Sequence, residues 1–301
     1  MKNVDCVIVT YNRLTLLKKC IEAVTTQTYK VNKVFVVDNN SSDKTPTFLR
    51  NISSQNKHIV PIFLSQNVGG AGGFNEGIKH FILESHSSYV WVMDDDTIPS
   101  RTALENMMKK TGYTSNLGFL CSNVRWIDGH VAQMNIPETV NNWNESISDG
   151  LVELKSTSFV SVLFPRNVVL KCGLPIKDYF IWGDDVEYTR RITQNKFKGF
   201  LVTNSKVIHA IKSNIGSNII EEKDINRIKR YYLARRNTIF TMRNRYSKKE
   251  LVKWVMRSLV LNPVKIVCFA KGNKILRIKC EIGGTVSGFF FKPKIQKFVQ
   301  K

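Results

Sequence analysis

An α/β fold with a mostly parallel sheet is what this sequence predicts, and three observations carry the prediction. Short apolar runs alternate with helix-periodic segments through the first part of the chain. The runs are apolar at nearly every residue, as strands covered on both faces are. Polar clusters follow the runs directly, and sheets of this kind bind ligands outside the carboxyl ends of their strands.

Cys6–Thr10 is a β-branched run; Leu16, Leu17, Cys20, Ile21 and Val24 then form a helical stripe within Leu14–Thr25. Lys33–Asp38 is a second strand, ending in the turn-rich Asn39-Asn40-Ser41-Ser42-Asp43, and Thr45–Asn51 reads as a helix. Ile59–Leu64 is a third strand, and a glycine-rich loop leads into a helix over Gly73–Leu83. Tyr89–Met93 is a fourth strand that runs into Asp94, and Ser100 stands as N-cap of a helix through Lys110. After residue 115 the pattern changes. Leu117–Trp126 and Val131–Met134 flank Asp128-Gly129, a hairpin signal. Ser158–Phe164, Phe200–Thr203 and Lys206–His209 read as strands and Asp184–Asn195 as a helix. A soft boundary falls near residues 212–222, beyond which the chain is basic, helical and amphipathic.

The net charge of +21 calls for an anionic partner or surface. Much of the excess lies between Leu251 and Lys301, where eleven Lys and Arg face the single acid Glu281. The charge alone would suit nucleic acid, but the acidic motifs would repel a phosphate backbone, so no nucleic-acid partner is expected. The six cysteines form no CxxC pair, which argues against a zinc ribbon and for buried, reduced thiols of a cytosolic protein. The N-terminus enters a strand-like segment without a signal-peptide pattern. Lys253, Arg257, Pro263 and Lys265 interrupt the apolar stretch Leu251–Ala270, so no membrane span is expected there.

Asp94-Asp95-Asp96 closes an apolar strand. Adjacent carboxylates repel, and a hard divalent ion such as Mg²⁺ or Mn²⁺ relieves this together with substrate phosphates. In extended chain Asp94 and Asp96 share a face while Asp95 turns away; a solvated acidic turn is the plain alternative. Asn67–Gly77 holds four glycines in five residues, Gly69, Gly70, Gly72 and Gly73, which admit a ligand close to the backbone ahead of a helix N-terminus. It matches neither Walker A nor the dinucleotide fingerprint, and a flexible turn is the alternative. Asp38 could accept hydrogen bonds from a ribose or a pyrimidine, or close an Asx turn. In Phe180–Tyr188, Trp182 can pack on a sugar face and Asp185 can take a proton from a hydroxyl. Asp184-x-x-Glu187 also has the form of a capping box. His209, at a strand end, is either structural or a ligand completing the sphere begun by Asp94 and Asp96.

In this order the motifs resemble those of the family 2 inverting glycosyltransferases. The parts are Val9-Thr10-Tyr11-Asn12-Arg13, Val37-Asp38-Asn39-Asn40-Ser41, the Asn67–Asn75 loop, the Asp triplet, Asp184-Asp185 followed by Arg191, and His209. The resemblance covers residues 1–212 and implies a GT-A fold: a nucleotide-binding half, residues 1–115, and an acceptor-binding half, residues 116–212, ahead of a basic helical region, 213–301. It implies nucleotide-sugar binding by Thr10, Tyr11, Asn12, Arg13, Asp38, Asn67, Gly69, Gly70, Gly73, Asn75 and Asp95. Asp94, Asp96 and His209 would hold Mn²⁺ or Mg²⁺, and Asp185 would be the general base. Trp182, Asp184 and Arg191 would face the acceptor sugar. The glycine loop, full triplet and Trp182 are most similar to galactofuranosyltransferases using UDP-galactofuranose; the Arg236-Asn237 segment is also similar to rhamnosyltransferases using dTDP-rhamnose. Gly183 separates Trp182 from Asp184, where relatives often have Trp-Asp-Asp. A glycoside hydrolase would leave the glycine loop and base-binding segment without a role.

Downstream, Arg227–Arg245 and Leu251–Leu261 suggest basic amphipathic helices, with Trp254, Val255, Leu259 and Val260 opposite Lys253 and Arg257. Such elements attach to anionic membrane surfaces, here the cytoplasmic leaflet where lipid-linked glycan acceptors reside. A core-packing helix with a solvated basic face is the alternative.

Overall fold

The computed structural model describes residues 2–298 apart from Ile215 and Ser217, so Lys301 of the basic tail lies outside the described residues. β1 (Val4–Thr10), β2 (Val34–Asp38), β3 (Ile59–Phe63) and β4 (Tyr89–Asp94) alternate with α1 (Leu14–Thr25), α2 (Thr45–Gln55) and α3 (Gly69–Glu84). These strands pair in parallel in the order β3-β2-β1-β4. The order reverses between β1 and β4, which opens a crevice at their carboxyl ends. Both faces are covered: Val4, Cys6 and Ile8 enter one core, Val7 and Val9 the other. That double burial is why the runs lack polar alternation.

The second half extends the same sheet. After β5 (Thr97–Pro99) and α4 (Ala103–Met108) come β6 (Leu117–Arg125), β7 (Glu138–Thr139), β8 (Leu151–Ser156) and β9 (Val162–Pro165). α5 (Arg166–Cys172), α6 (Asp184–Gln194) and β10 (Lys198–His209) follow. The full order is β3-β2-β1-β4-β9-β6-β10-β8-β7, with β5 on β10. β9 runs antiparallel to β4 and β6, so the sheet is mixed, and the change of pattern after residue 115 marks the change of pairing.

Several local expectations are corrected. The stretch over Phe200–Thr203 and Lys206–His209 is one strand, bent by a register shift between Val202 and Lys206. Of the Ser158–Phe164 run only the last three residues are strand, in β9, which extends to Pro165. Asp128-Gly129 does turn the chain, but its second arm is a single bridge, Arg125 to Val131. α4 starts at Ala103, so Ser100 is not its cap. α6 has Gly183, which has no side chain, at its N-cap and Asp184 inside its first turn, so no capping box forms; Glu187 turns inward to Arg191 and Arg245. The cysteines are all free; Cys268 is exposed and the other five are buried.

α7 (Ile225–Arg245), α8 (Lys248–Met256), α9 (Asn262–Phe269) and α10 (Lys274–Phe290) complete the chain, a π-helical turn at Arg257–Leu261 joining α8 to α9. Gly284 and Gly288 let α10 lie against the backbone of α7 at Tyr232 and Arg236. Among the described residues no helix is long and apolar enough to cross a membrane.

The glycine run is helix, not loop: α3 begins at Gly69. At Gly73 and Gly77 a Cβ would meet Val9 and Val7, so these residues bring α3 down onto β1. Gly69 sits at φ +75°, where a Cβ would also collide with the carbonyl of Phe180, whereas Gly70 has open space. Gly69→Ala therefore lowers unfolding stability by about 2–4 kcal/mol in urea titrations. Gly70→Ala is neutral or stabilising by up to about 1 kcal/mol.

Candidate active site

Strand register builds the site. Val9 pairs with Asp94 and Thr10 with Asp38, so the ends of β1, β2 and β4 lie side by side. β10 runs antiparallel to β5 with His209 opposite Thr97, and Ala210 N–H donates to the Asp96 carbonyl at 2.8 Å. This brings His209 to a triplet more than a hundred residues earlier in the chain.

Asp94, Asp96 and His209 offer ligand atoms within 4.8 Å of one another. Asp95 turns away, as extended chain requires, and accepts from Thr10 Oγ1 at 2.7 Å. Arg13 Nη1 bridges Asp95 (3.3 Å) and Asp96 (2.5 Å). Burial raises Asp94 well above the ordinary carboxylate range, and Asp96 and Asp95 add to it. Asp95 is pushed up to about 6, again by burial, with Arg13 opposing. Asp96 is lowered despite its burial, by His209 and Arg13, so the shortage of positive charge is felt at Asp94 and Asp95.

The donor set fits a divalent cation. Asp96 Oδ1 is buried without a hydrogen-bond partner, although His209 Nε2 stands 3.1 Å away. His209 Nδ1 lies 2.7 Å from Asn135 Oδ1, a contact that places the ring proton on Nδ1. With the ring proton on Nδ1, the Nε2 lone pair faces the carboxylates, the arrangement a metal ion completes.

A cavity of about 490 Å³ opens beside this cluster, and Asp94, His209, Trp182, Asp185, Tyr231 and Arg235 line it. Trp182 meets Tyr231 edge to face at 5.1 Å. Asp185 accepts from Val186 N–H at 2.7 Å, and burial raises its carboxyl above the ordinary range. Asp184 is raised well above that range by burial and by Asp185, and lies outside the cavity lining.

The segment carrying these groups is strained. Phe180, at φ +62°, centres a γ-turn closed by Ile181 N–H to the Tyr179 carbonyl at 2.7 Å. Trp182 follows at φ +65° and Gly183 at φ +91°. Non-glycine residues in such conformations cost about 1–3 kcal/mol each and persist only where their surroundings over-determine them.

The other expected residues divide. Tyr11 is exposed at the crevice. Asn12 ties the β1 loop to the β2 loop, accepting from Ser42 N–H and donating through its own N–H to Ser41 Oγ. Asp38 Oδ1 accepts from Ser41 N–H, three residues on, at 3.1 Å, one residue further than an Asx turn. Asn67 Oδ1 accepts from Asn39 Nδ2 and from Gly69 N–H. Gly73 packs on Val9, and Asn75 is buried, donating to the Pro175 carbonyl at 2.7 Å. Arg191, expected near the acceptor, is instead a buried strut: it holds the carbonyls of Cys172 and Leu174 and pairs with Glu187 at 2.9 Å. Sequence reasoning missed Tyr231, Arg235 and Asn135. The first two sit on α7, so the region after residue 213 forms part of the cavity wall; only the Arg236-Asn237 resemblance pointed there.

Fold and site together define an α/β protein suited to an anionic ligand bound with a divalent cation at a topological switch point. The chain belongs to glycosyl transferase family 2, whose pattern matches residues 5–155. It is 29% identical over 203 residues to galactofuranosyltransferase GlfT1 of Mycolicibacterium smegmatis, covering 64% of this chain and 66% of that protein. It is 31% identical over 122 residues to the GalNAc(5)-diNAcBac-PP-undecaprenol beta-1,3-glucosyltransferase of Campylobacter jejuni, 39% of this chain and 38% of that one. The matched stretch thus spans less than two thirds of either relative. Among solved structures, GalNAc-T7 with UDP, GalNAc and Mn²⁺ superposes with a TM-score of 0.67 at 12% identity, over 96% of this chain and 56% of that one; the likeness establishes the fold.

Proposed function

We propose that the chain is a metal-dependent, inverting glycosyltransferase that moves galactofuranose from UDP-galactofuranose to a hydroxyl of a glycan or lipid-linked glycan. One observation carries this reading: the Asp94, Asp96 and His209 cluster opens into the same cavity as Trp182 and Asp185. The galactofuranosyltransferase relative supports the donor, and the undecaprenol-linked substrate in the name of the Campylobacter relative supports a lipid-linked acceptor.

Asp94, Asp96 and His209 would hold Mn²⁺ or Mg²⁺, which would supply positive charge to the departing diphosphate. Thr10, Tyr11 and Asp38 line the nucleotide side of the crevice. Trp182 stacks on a sugar face. The Asp185 carboxylate accepts the acceptor's hydroxyl proton as that oxygen bonds to the anomeric carbon. The bond from that carbon to the diphosphate breaks, its electron pair leaves with UDP, and configuration inverts. A raised pKa makes Asp185 a stronger base once ionised.

The C-terminal region supports peripheral attachment at the cytoplasmic face of an anionic membrane. Trp254, expected outward, turns inward to the Arg235 guanidinium at 5.2 Å. The outward row is instead Val252, Met256, Val260, Val264 and Val267, all exposed and recurring every three or four residues. Lys249, Lys253, Arg257 and Lys265 run beside it, also exposed. Two copies meeting through this face would oppose like charges, whereas anionic headgroups would neutralise the basic row while lipid covers the apolar one.

Turnover of a sugar-nucleotide panel with Mn²⁺ tests the activity: UDP release from UDP-galactofuranose is expected, and dTDP release from dTDP-rhamnose alone would replace the donor. Asp185→Asn lowers transfer about 10²- to 10⁴-fold with UDP binding retained. In the wild type the rate falls as pH drops through the raised pKa of Asp185, so the acid limb lies above the range of an ordinary aspartate. In vesicle flotation, binding to anionic vesicles is expected to weaken with salt and to be lost in a Met256→Glu, Val260→Glu double variant; equal binding to neutral vesicles contradicts the electrostatic part.

A further inference from the structure

We infer that Asn237, steered by Arg236, is a positioning residue that locks the strained Tyr179–Gly183 segment so that Trp182 and Asp185 face the cavity. The inference rests on the reading of Asp185 as base, and it moves part of the catalytic apparatus into the region after residue 213.

Asn237 lies in the middle of α7 and is fully buried. An asparagine there is a poor helix former, and its side chain does nothing for its own helix. Its Nδ2 donates to three backbone carbonyls of the strained segment: Tyr179 at 2.9 Å, Ile181 at 3.0 Å and Trp182 at 3.0 Å. Arg236 fixes the orientation of that amide. Its Nε and Nη2 donate to Asn237 Oδ1 at 3.0 and 2.9 Å, so Oδ1 faces the guanidinium and Nδ2 must face the carbonyls. Arg236 Nη2 also donates to the Asp178 carbonyl at 2.7 Å. The next carbonyl round, that of Phe180, points the opposite way and accepts from Ala71 N–H at the start of α3, 3.2 Å away. The γ-turn is therefore pinned from two sides, by α7 and by the glycine-opened end of α3.

These carbonyls point where they do because Phe180, Trp182 and Gly183 all have positive φ. A relaxed backbone would redirect them, and the donors of Asn237 would lose their partners. Conversely, without Asn237 the Tyr179, Ile181 and Trp182 carbonyls lose this donor, and the α7 bonds that remain, from Arg236 to the Asp178 and Tyr179 carbonyls and between the Tyr179 hydroxyl and Thr241, do not reach past Tyr179 to offset the strain at Phe180 and Trp182. The segment then relaxes, and Trp182, within it, and Asp185, two residues past its end at Gly183, move with it. The strands that end at Asp38 and Asp94, and the turn that carries Asp96, make none of these contacts, so the donor side stands apart.

Asn237→Ala and Arg236→Ala are compared with wild type by three readouts: UDP affinity in Mn²⁺, transfer kinetics, and amide hydrogen exchange over residues 178–186. For Asn237→Ala the expected result is unchanged UDP affinity, a kcat for transfer lowered about 100-fold, and faster exchange confined to that segment. Arg236→Ala gives the same pattern in milder form, and decides the matter if Asn237→Ala does not fold. UDP affinity falling in step with kcat would make the role merely structural and overturn the inference, as would wild-type kcat or unchanged exchange. If wild type turns over no sugar nucleotide, the assigned activity fails by itself, and the exchange comparison still decides whether Asn237 locks the segment.

Discussion

Too many carboxylates meet at one point, and the rest of the molecule is arranged around that excess. Asp94, Asp95 and Asp96 stand at the end of a strand whose preceding residues are all buried, and burial raises two of them against their own ionisation. The protein supplies Arg13 from the first loop and His209 from the last strand, and still leaves a buried Asp96 oxygen without a hydrogen-bond partner. Carboxylates held this way are costly unless a cation completes them. The parallel half-sheet exists, in this sense, to bring strand ends together; the antiparallel β5–β10 pair exists to return an imidazole to them.

A second constraint is geometric. The cavity sets an aromatic and a carboxylate, Trp182 and Asp185, beside the acidic cluster. The chain achieves this with a backbone bent out of its comfortable conformations at Phe180 and Trp182. Such a segment is stable only if its carbonyls are met from outside. Glycines at the start of α3 allow one approach and the centre of α7 provides the other. The C-terminal helices thus join two tasks: an inner face that lines the cavity with Tyr231 and Arg235, and an outer face of exposed aliphatic and basic side chains.

Much of this was legible in the sequence because the responsible contacts are local. The apolar runs of β1 to β4 announce a doubly covered sheet. The triplet at a strand end announces Asp94 and Asp96 on one side and Asp95 on the other, since that split follows from the two-residue period of extended chain. What was not legible depends on distant partners. The glycine run looks like a ligand loop until Phe180 arrives over Gly69. Asp184-x-x-Glu187 looks like a capping box until Arg245, on another helix, claims Glu187. Arg191 looks like a ligand-binding cation until the carbonyls of Cys172 and Leu174 enclose it. Trp254 was expected outward on helical periodicity alone, but its indole faces Arg235, and the aliphatic row that includes Val252 and Met256, two positions either side, faces solvent.

The central claim is that the acidic strand end is completed by a divalent cation. Anomalous scattering at the manganese edge, from crystals grown with Mn²⁺ and UDP, tests it most directly. A peak bonded to Asp94, Asp96 and His209 and to the UDP diphosphate is the predicted result. Nucleotide bound in the crevice with Arg13 still bridging Asp95 and Asp96, and no anomalous density among those three side chains, would contradict it.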